Sequence, residues 1–204
     1  MKLHCFRSGL LGVNSYFLIN EQTKECVVID SGEYFNKITQ VADSLGVKIK
    51  AILLTHAHFD HSLNAYTFQQ NGVKIYASEK EAEKLKVGDN LGEMFRKPIQ
   101  PFCPDVVFSD GEEFTVCDIK FKAIITPGHT DGSTTFIVSN MLFTGDTLLN
   151  QSIGRTDFPT GDYFSIMTSI KRLYENYSGY EVYPGHGDST SIDFEKVNNP
   201  FIKL

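Results

Sequence analysis

The chain has 204 residues, 41% of them apolar, which suffices for the core of one domain spanning 1–204. A net charge of −6 with no basic stripe argues against a nucleic-acid partner. The start, Met1-Lys2-Leu3-His4-Cys5-Phe6, turns polar at once, and no stretch approaches the roughly 18 apolar residues of a membrane helix, so neither a secretory leader nor membrane association is expected and the expected compartment is the cytoplasm.

Strands are predicted over 3–6, 15–19 and 25–30, the last two joined by a polar hairpin loop at 20–24. Phe35, Ile38, Val41, Ala42 and Leu45 recur at helical spacing, and Gly46 ends that helix. Residues 50–54 are apolar without alternation, the mark of a strand buried on both faces. A helix follows over about 63–70, then a strand at 74–77. Ser78 and Glu81 have the spacing of a capping box opening a short helix. From 86 to 105 the pattern lapses, with Gly88, Gly92, Pro98, Pro101 and Pro104 interleaved with Leu91, Met94, Phe95 and Phe102. A loop of that length is either an irregular surface connection or a lid over a site. Strands resume at 114–116, 119–125, 134–138 and 141–144. Asp162 can cap a helix presenting Tyr163, Ile166, Met167, Ile170, Leu173 and Tyr177 on one face. A short strand at 181–183 and a helix at 191–197 complete the chain. Strands followed by helices occur in both halves, which predicts two similar β-then-α layers packed together. Cys5, Cys26, Cys103 and Cys117 are scattered with no C-x-x-C pair, and reduced thiols are expected.

The chemistry concentrates in Thr55-His56-Ala57-His58-Phe59-Asp60-His61, three imidazoles and a carboxylate leaving a buried strand. Three later turns each follow a strand and contain glycine: Pro127-Gly128-His129, Gly145-Asp146 and Pro184-Gly185-His186. Glycine there lets the backbone turn tightly and approach another segment or a metal. Five of the six histidines thus stand at strand ends. His4, within the first strand, is expected to be structural. Imidazole and carboxylate without thiolate suit zinc, iron or manganese. Seven groups, His56, His58, Asp60, His61, His129, Asp146 and His186, exceed the needs of one tetrahedral ion and match two ions sharing a bridging carboxylate. Asp30, ending a strand before Ser31-Gly32, either orients a ligand or forms an Asx turn.

The H-x-H-x-D-H pattern with the distant His, Asp and His in these turns resembles the metallo-β-lactamase superfamily over nearly the whole chain. The resemblance implies an α+β fold, a four-layer αββα sandwich with the site at one edge of its two sheets. It implies that His56, His58 and His129 hold a first metal ion, that Asp60, His61 and His186 hold a second, and that Asp146 bridges them. Secreted zinc β-lactamases place cysteine or serine at the Asp146 position, so the carboxylate resembles the glyoxalase II (hydroxyacylglutathione hydrolase) branch instead. Ser152-Ile153-Gly154-Arg155-Thr156-Asp157-Phe158-Pro159-Thr160-Gly161-Asp162 and Asn199-Pro200-Phe201 are similar to compact members of that branch. Only the stretch from Gly187 to Leu204 follows His186, so the compact form without a C-terminal helical domain is expected. Arg155 stands where the branch places a basic substrate-binding residue. A guanidinium there can pair bidentately with a substrate carboxylate or form an ion pair with Asp157 or Asp162.

Two cations, zinc by expectation, that share a water would lower its pKa toward about 7 and supply hydroxide to a carbonyl carbon. Asp60 and Asp146 are the expected catalytic carboxylates, Asp60 accepting a hydrogen bond from the nucleophile. A thiolate, whose thiol pKa is about 8.5, leaves without a general acid, whereas an amide nitrogen needs one. The expected substrate is therefore a small thioester such as an S-acylglutathione, with ester or lactone hydrolysis as an alternative. A mononuclear iron oxidoreductase resembling persulfide dioxygenases is the nearest rival, and a non-catalytic metal-binding domain is a further one.

Overall fold

The computed structural model describes every residue except Glu33, Lys203 and Leu204. In the first half, β1 (Lys2–Ser8), β2 (Val13–Asn20) and β3 (Glu25–Ile29) form an antiparallel meander. The chain then crosses through α1 (Phe35–Leu45) to β4 (Lys48–Leu53), through α2 (Phe59–Ser62) and α3 (Ala65–Gln70) to β5 (Lys74–Ser78), and through α4 (Glu79–Val87) to β6 (Val106–Phe108). The strands from β3 to β6 are parallel because each connection is a helix-bearing crossover. The resulting sheet has the order β1-β2-β3-β4-β5-β6.

The second half repeats the plan. An antiparallel run of β7 (Glu113–Val116), β8 (Ile119–Ile125), β9 (Thr134–Val138) and β10 (Met141–Gly145) leads to a small hairpin, β11 (Leu148–Leu149) and β12 (Ser152–Ile153). Helix α5 (Tyr163–Asn176) then carries the chain to β13 (Glu181–Pro184), parallel to β10, and β14 (Thr190–Ser191) and α6 (Ile192–Asn198) close it. The second sheet reads β14-β13-β10-β9-β8-β7.

Strand alternation sorts the apolar side chains into three buried layers. On β3, Val27 and Ile29 join Leu53, Phe121, Phe136 and Phe143 between the sheets. Cys26 and Val28 point the other way, against Ile38, Phe68 and Leu85 of the first half's helices. On β10, Phe143 enters the inter-sheet core while Leu142 packs against Ile166, Ile170 and Leu173 of α5. Each such fully buried side chain contributes roughly 1.5–3 kcal/mol. The layers run helix, sheet, sheet, helix, which is the predicted αββα sandwich. Among the described residues no helix is long and apolar enough to cross a membrane.

Two local expectations need correction, and four short strands were not foreseen. The helix expected over 63–70 is split into α2 and α3, and its first turn starts earlier, so Asp60 and His61 are helical. Strands β6, β11, β12 and β14 span two or three residues, too few to show alternation in sequence. Ser78 is the N-cap of α4, yet it forms no side-chain cap bond. Its hydroxyl donates instead to the Gly132 carbonyl at 2.7 Å, and Glu81 reaches across to the loops after β4 and β8. By contrast, Asp162 caps α5 as predicted, accepting from the Ser165 amide at 2.7 Å. His4 sits on β1, edge-on to Phe17, and all four cysteines are free thiols.

Candidate metal centre

The loops after β4, β8, β10 and β13 meet at one edge of the sandwich. Their seven predicted side chains converge as three sets, His56–His58–His129, His56–His61–Asp146 and Asp60–His61–His186, with the ligand-type atoms of each set within 4.8 Å of one another. His58 Nδ1 and His129 Nε2 are 2.9 Å apart, and His61 Nε2 and His186 Nε2 are 3.3 Å apart. The Asp146 carboxylate lies between the outer sets. Its Oδ1 is 3.6 Å from His61 Nε2, and its Oδ2 is 3.6 Å from His129 Nε2 and 3.5 Å from His186 Nε2. Asp60 Oδ2 is 3.2 Å from His186 Nε2 and 3.6 Å from His61 Nε2.

Tight turns permit this crowding. A Cβ on Gly185 would stand 2.3 Å from Asp146 Oδ1 and 2.8 Å from His61 Cε1. Any side chain there would occupy the space of two ligand groups. Helix α2 contributes by folding Asp60 and His61 back from His56 and His58, and Ser62 Oγ ties that turn by donating to the Ala57 carbonyl at 2.7 Å.

The nitrogens facing away from the cluster are held by specific acceptors, which sets the tautomers. His129 Nδ1–H donates to the Arg155 carbonyl at 2.7 Å, and His186 Nδ1–H donates to the Leu11 carbonyl at 3.1 Å. His61 Nδ1–H donates to Asp30 Oδ2 at 2.8 Å. Thr55 Oγ1 gives its only proton to Asp30 Oδ2 at 2.8 Å and so accepts from His56 Nδ1–H at 3.1 Å. In each case Nε2 is the nitrogen left facing the cluster, the one a metal would take. Asp30 thus orients ligands, and its second oxygen accepts from the Thr55 amide at 2.9 Å. Its backbone is left-handed, φ 58°, a conformation Asp tolerates better than most residues.

Burial, and then the charges of His61, His58 and His129, hold the His56 imidazole well below its ordinary range. Burial and His129 do the same to His58. Both are therefore neutral at physiological pH. His61 behaves oppositely. Burial disfavours its charge, but Asp30, Asp60 and Asp146 outweigh that and lift it to about 10. For His186, burial is likewise overcome, by Asp146 and by a hydrogen bond to Asp60, and its pKa rises. Burial alone would raise the Asp60 carboxyl, but His61 and His186 hold it below the usual carboxylate range.

This donor set fits metal ions. His56 Nε2 and Asp146 Oδ1 are buried with no hydrogen-bond partner among the described residues. Leaving such atoms unsatisfied costs about 1–3 kcal/mol each, a cost that a cation at their focus removes. Neutral imidazoles and carboxylates, without thiolate, suit zinc, iron or manganese.

A cavity of about 370 Å3 opens beside the cluster, touched by His58, Asp60, His129, Asp146 and His186. Arg155 lines it too, but its guanidinium donates to both oxygens of Asp157, at 2.9 and 2.7 Å, and lies 4.2 Å over the Phe158 ring. The stretch 86–105 supplies another wall. Leu91 and Phe95 line the cavity, Phe95 stacks on Phe59 at 4.8 Å, and Ile99 and Phe102 are buried in the helix-side core.

Sequence reasoning missed Glu81. Its carboxylate is fully buried and accepts from the Ala57 amide at 2.7 Å, from Thr130 Oγ1 at 2.7 Å and from Lys84 Nζ at 2.8 Å. Ala57 lies between His56 and His58, and Thr130 follows His129, so one carboxylate joins the two loops of the first ligand set. Asn14 was missed as well. Its side-chain amide donates to the Pro184 and Gly187 carbonyls, at 3.0 and 2.9 Å, bracing the His186 turn. A buried acid and a buried amide are the available signals, and neither is visible before burial is known.

The family model for the metallo-beta-lactamase superfamily matches residues 8–186. A probable metallo-hydrolase of Streptococcus pyogenes is 34% identical over 98% of this chain and 90% of its own length. Hydroxyacylglutathione hydrolase GloC of Haemophilus influenzae is 36% identical over 91% of each chain. The BLEG-1 B3 metallo-beta-lactamase structure superposes with a TM-score of 0.91 at 29% identity, covering 98% of this chain and 99% of its own. On the family model and on relatives that match nearly end to end, the chain belongs to the metallo-beta-lactamase superfamily.

Proposed function

We propose that this metallo-hydrolase-type protein is a binuclear hydrolase of small thioesters. The observation that carries the proposal is the position of Asp146, whose carboxylate stands between the two histidine sets, Oδ2 3.6 Å from His129 of one and 3.5 Å from His186 of the other, while Oδ1, 3.6 Å from His61, has no hydrogen-bond partner among the described residues. On this reading His56, His58 and His129 hold one ion, Asp60, His61 and His186 hold the other, and Asp146 contributes to both. Zinc is the expected metal. When bound, the ions supply Lewis acidity at a carbonyl oxygen and lower the pKa of a shared water toward about 7.

The residues then divide the remaining work. Asp60 accepts a hydrogen bond from the attacking water and orients it. Asp30, Thr55 and the Leu11 and Arg155 carbonyls keep the imidazoles in their tautomers, so no ring reorients during turnover. Among the described residues the carboxylates lining the cavity are Asp60 and Asp146, both committed to the cluster, so no free carboxylic acid among them faces a leaving group. That favours a thiolate, which departs unprotonated, over an amide nitrogen. The name of the Haemophilus influenzae relative supports the same substrate class.

Metal analysis of gently purified protein, followed by thiol release from a thioester panel, tests the reading. Two ions per chain and a fall of at least about a hundredfold in Asp146→Ala are expected. One iron per chain with oxygen consumption would establish the mononuclear oxidoreductase instead.

A further inference from the structure

Outside the ligand cluster, the wall of the cavity is apolar. Leu11 enters from the turn between β1 and β2, Leu91 and Phe95 from the stretch after α4, Leu149 and Ile153 from the β11–β12 hairpin, and Phe158 from the loop before α5. Four separate segments thus present hydrocarbon to one space. Leu11 is 46% exposed and Phe95 36% exposed, so the apolar surface continues to the mouth. Phe158 also meets the His58 ring edge-on at 5.8 Å, which brings the wall against a ligand.

Outside the ligand cluster, the one cationic side chain among the described residues lining this space is Arg155, and it is paired with Asp157. Asp157 takes two of its hydrogen bonds, and its face covers Phe158. Arg155 keeps its Nη1 hydrogens for another acceptor, but the Asp157 carboxylate already offsets its charge, so it draws a substrate carboxylate less strongly than a free guanidinium would. A glutathione conjugate carries two carboxylates and an ammonium, each of which loses hydration on entering and needs a partner there. A neutral hydrocarbon group needs none and gains from leaving water.

We infer that the site selects thioesters with a neutral, apolar acyl group, the size of hexanoyl or phenylacetyl, seated against Phe95, Leu91 and Phe158. This rests on the thioesterase reading and adds the identity of the acyl group to it. Arg155 on this view closes the wall by stacking on Phe158, and it does not anchor a substrate carboxylate.

The test is a series of N-acetylcysteamine thioesters, acetyl, butyryl, hexanoyl and phenylacetyl, assayed beside S-lactoylglutathione on the metal-loaded protein. Each added methylene should raise kcat/KM about three- to fourfold until the cavity is filled. Hexanoyl should exceed S-lactoylglutathione at least tenfold. Phe95→Ala should reduce the hexanoyl-to-acetyl ratio about tenfold, a ratio that a partly unfolded preparation leaves unchanged. Binding of the unreactive S-hexyl and S-methyl thioethers of N-acetylcysteamine, followed by calorimetry, gives a readout independent of turnover, with tighter binding and a more negative heat-capacity change expected for hexyl. A flat chain-length profile, or a preference for S-lactoylglutathione, overturns the inference while the thioesterase reading stands. If no thioester is hydrolysed yet hexyl binds better than methyl, the thioesterase reading fails and the apolar specificity of the wall is retained.

Discussion

Replacing Glu81 with Gln should weaken the first metal position and the fold together, although Glu81 is no ligand. The carboxylate uses Oε2 for the Ala57 amide and Oε1 for both Thr130 Oγ1 and Lys84 Nζ. An amide has one oxygen to offer. If its nitrogen faces Ala57, two N–H donors oppose each other. If it faces the other way, it meets the Lys84 ammonium, which has no lone pair to accept with. Either rotamer forfeits a charge-assisted hydrogen bond, about 1.5–3 kcal/mol, and strands a buried donor, about 1–3 kcal/mol. The sum is near the roughly 3–5 kcal/mol seen when one partner of a buried ion pair is removed. For a chain of this length each kcal/mol moves Tm by about 2–4 °C, so the metal-free variant should melt roughly 6–20 °C lower.

The metal effect should be selective. Ala57 and Thr130 flank His56, His58 and His129, whereas His61 and His186 are braced by Asp30 and the Leu11 carbonyl. Loss of an outer partner typically weakens metal binding about 10–100-fold. Chelator-competition titration should therefore show one of two ions weakened by that factor and the other near its wild-type affinity. A Glu81→Gln protein that melts within about 2 °C of wild type and binds both ions unchanged would refute the reasoning.

Glu81 also shows where sequence reading stops. Ser78 and Glu81 have capping-box spacing, and a helix does start at Glu79, yet both side chains turn away from the cap, Ser78 to the loop after β8 and Glu81 to the loops after β4 and β8. Local spacing cannot reveal a tertiary competitor. The acceptors for His129 and His186 were invisible for a different reason, since a backbone carbonyl carries no residue identity. In contrast, α1 was readable to the residue, because an apolar face at helical spacing ends at Gly46, whose φ of 64° makes it a left-handed cap. The seven-residue cluster was readable because each member follows a strand at a turn, and parallel strands must bring such ends to one edge. The 86–105 stretch has no period because its residues face two environments. Ile99 and Phe102 serve the core, while Leu91 and Phe95 serve the cavity.

The remaining predictions concern the cluster itself. Gly185→Ala should abolish metal binding at both positions, since its methyl would lie 2.3 Å from Asp146 Oδ1; near-native metal content in the folded variant would show that the turn can yield. Asp146→Asn should lower the metal content from two ions to one per chain by elemental analysis, and retention of both would remove the bridging role. The last prediction follows from His61. Asp30, Asp60 and Asp146 lift its pKa to about 10 in the metal-free protein. A raised pKa contributes stability that is fully present below the unfolded value of about 6.5 and is lost as pH climbs through the folded value. A metal ion taking Nε2 must expel that proton, so apparent affinity should rise with pH between about 6.5 and 10, with a proton released on binding at neutral pH. Calorimetry in buffers of different ionisation enthalpy counts that proton directly. Asp30→Asn removes one of the three charges and should reduce the proton released while weakening the metal on the Asp60, His61 and His186 side. Affinity that is independent of pH across this window, with no proton released, would mean that His61 is neutral before metal arrives and that its three carboxylates do not control metal uptake.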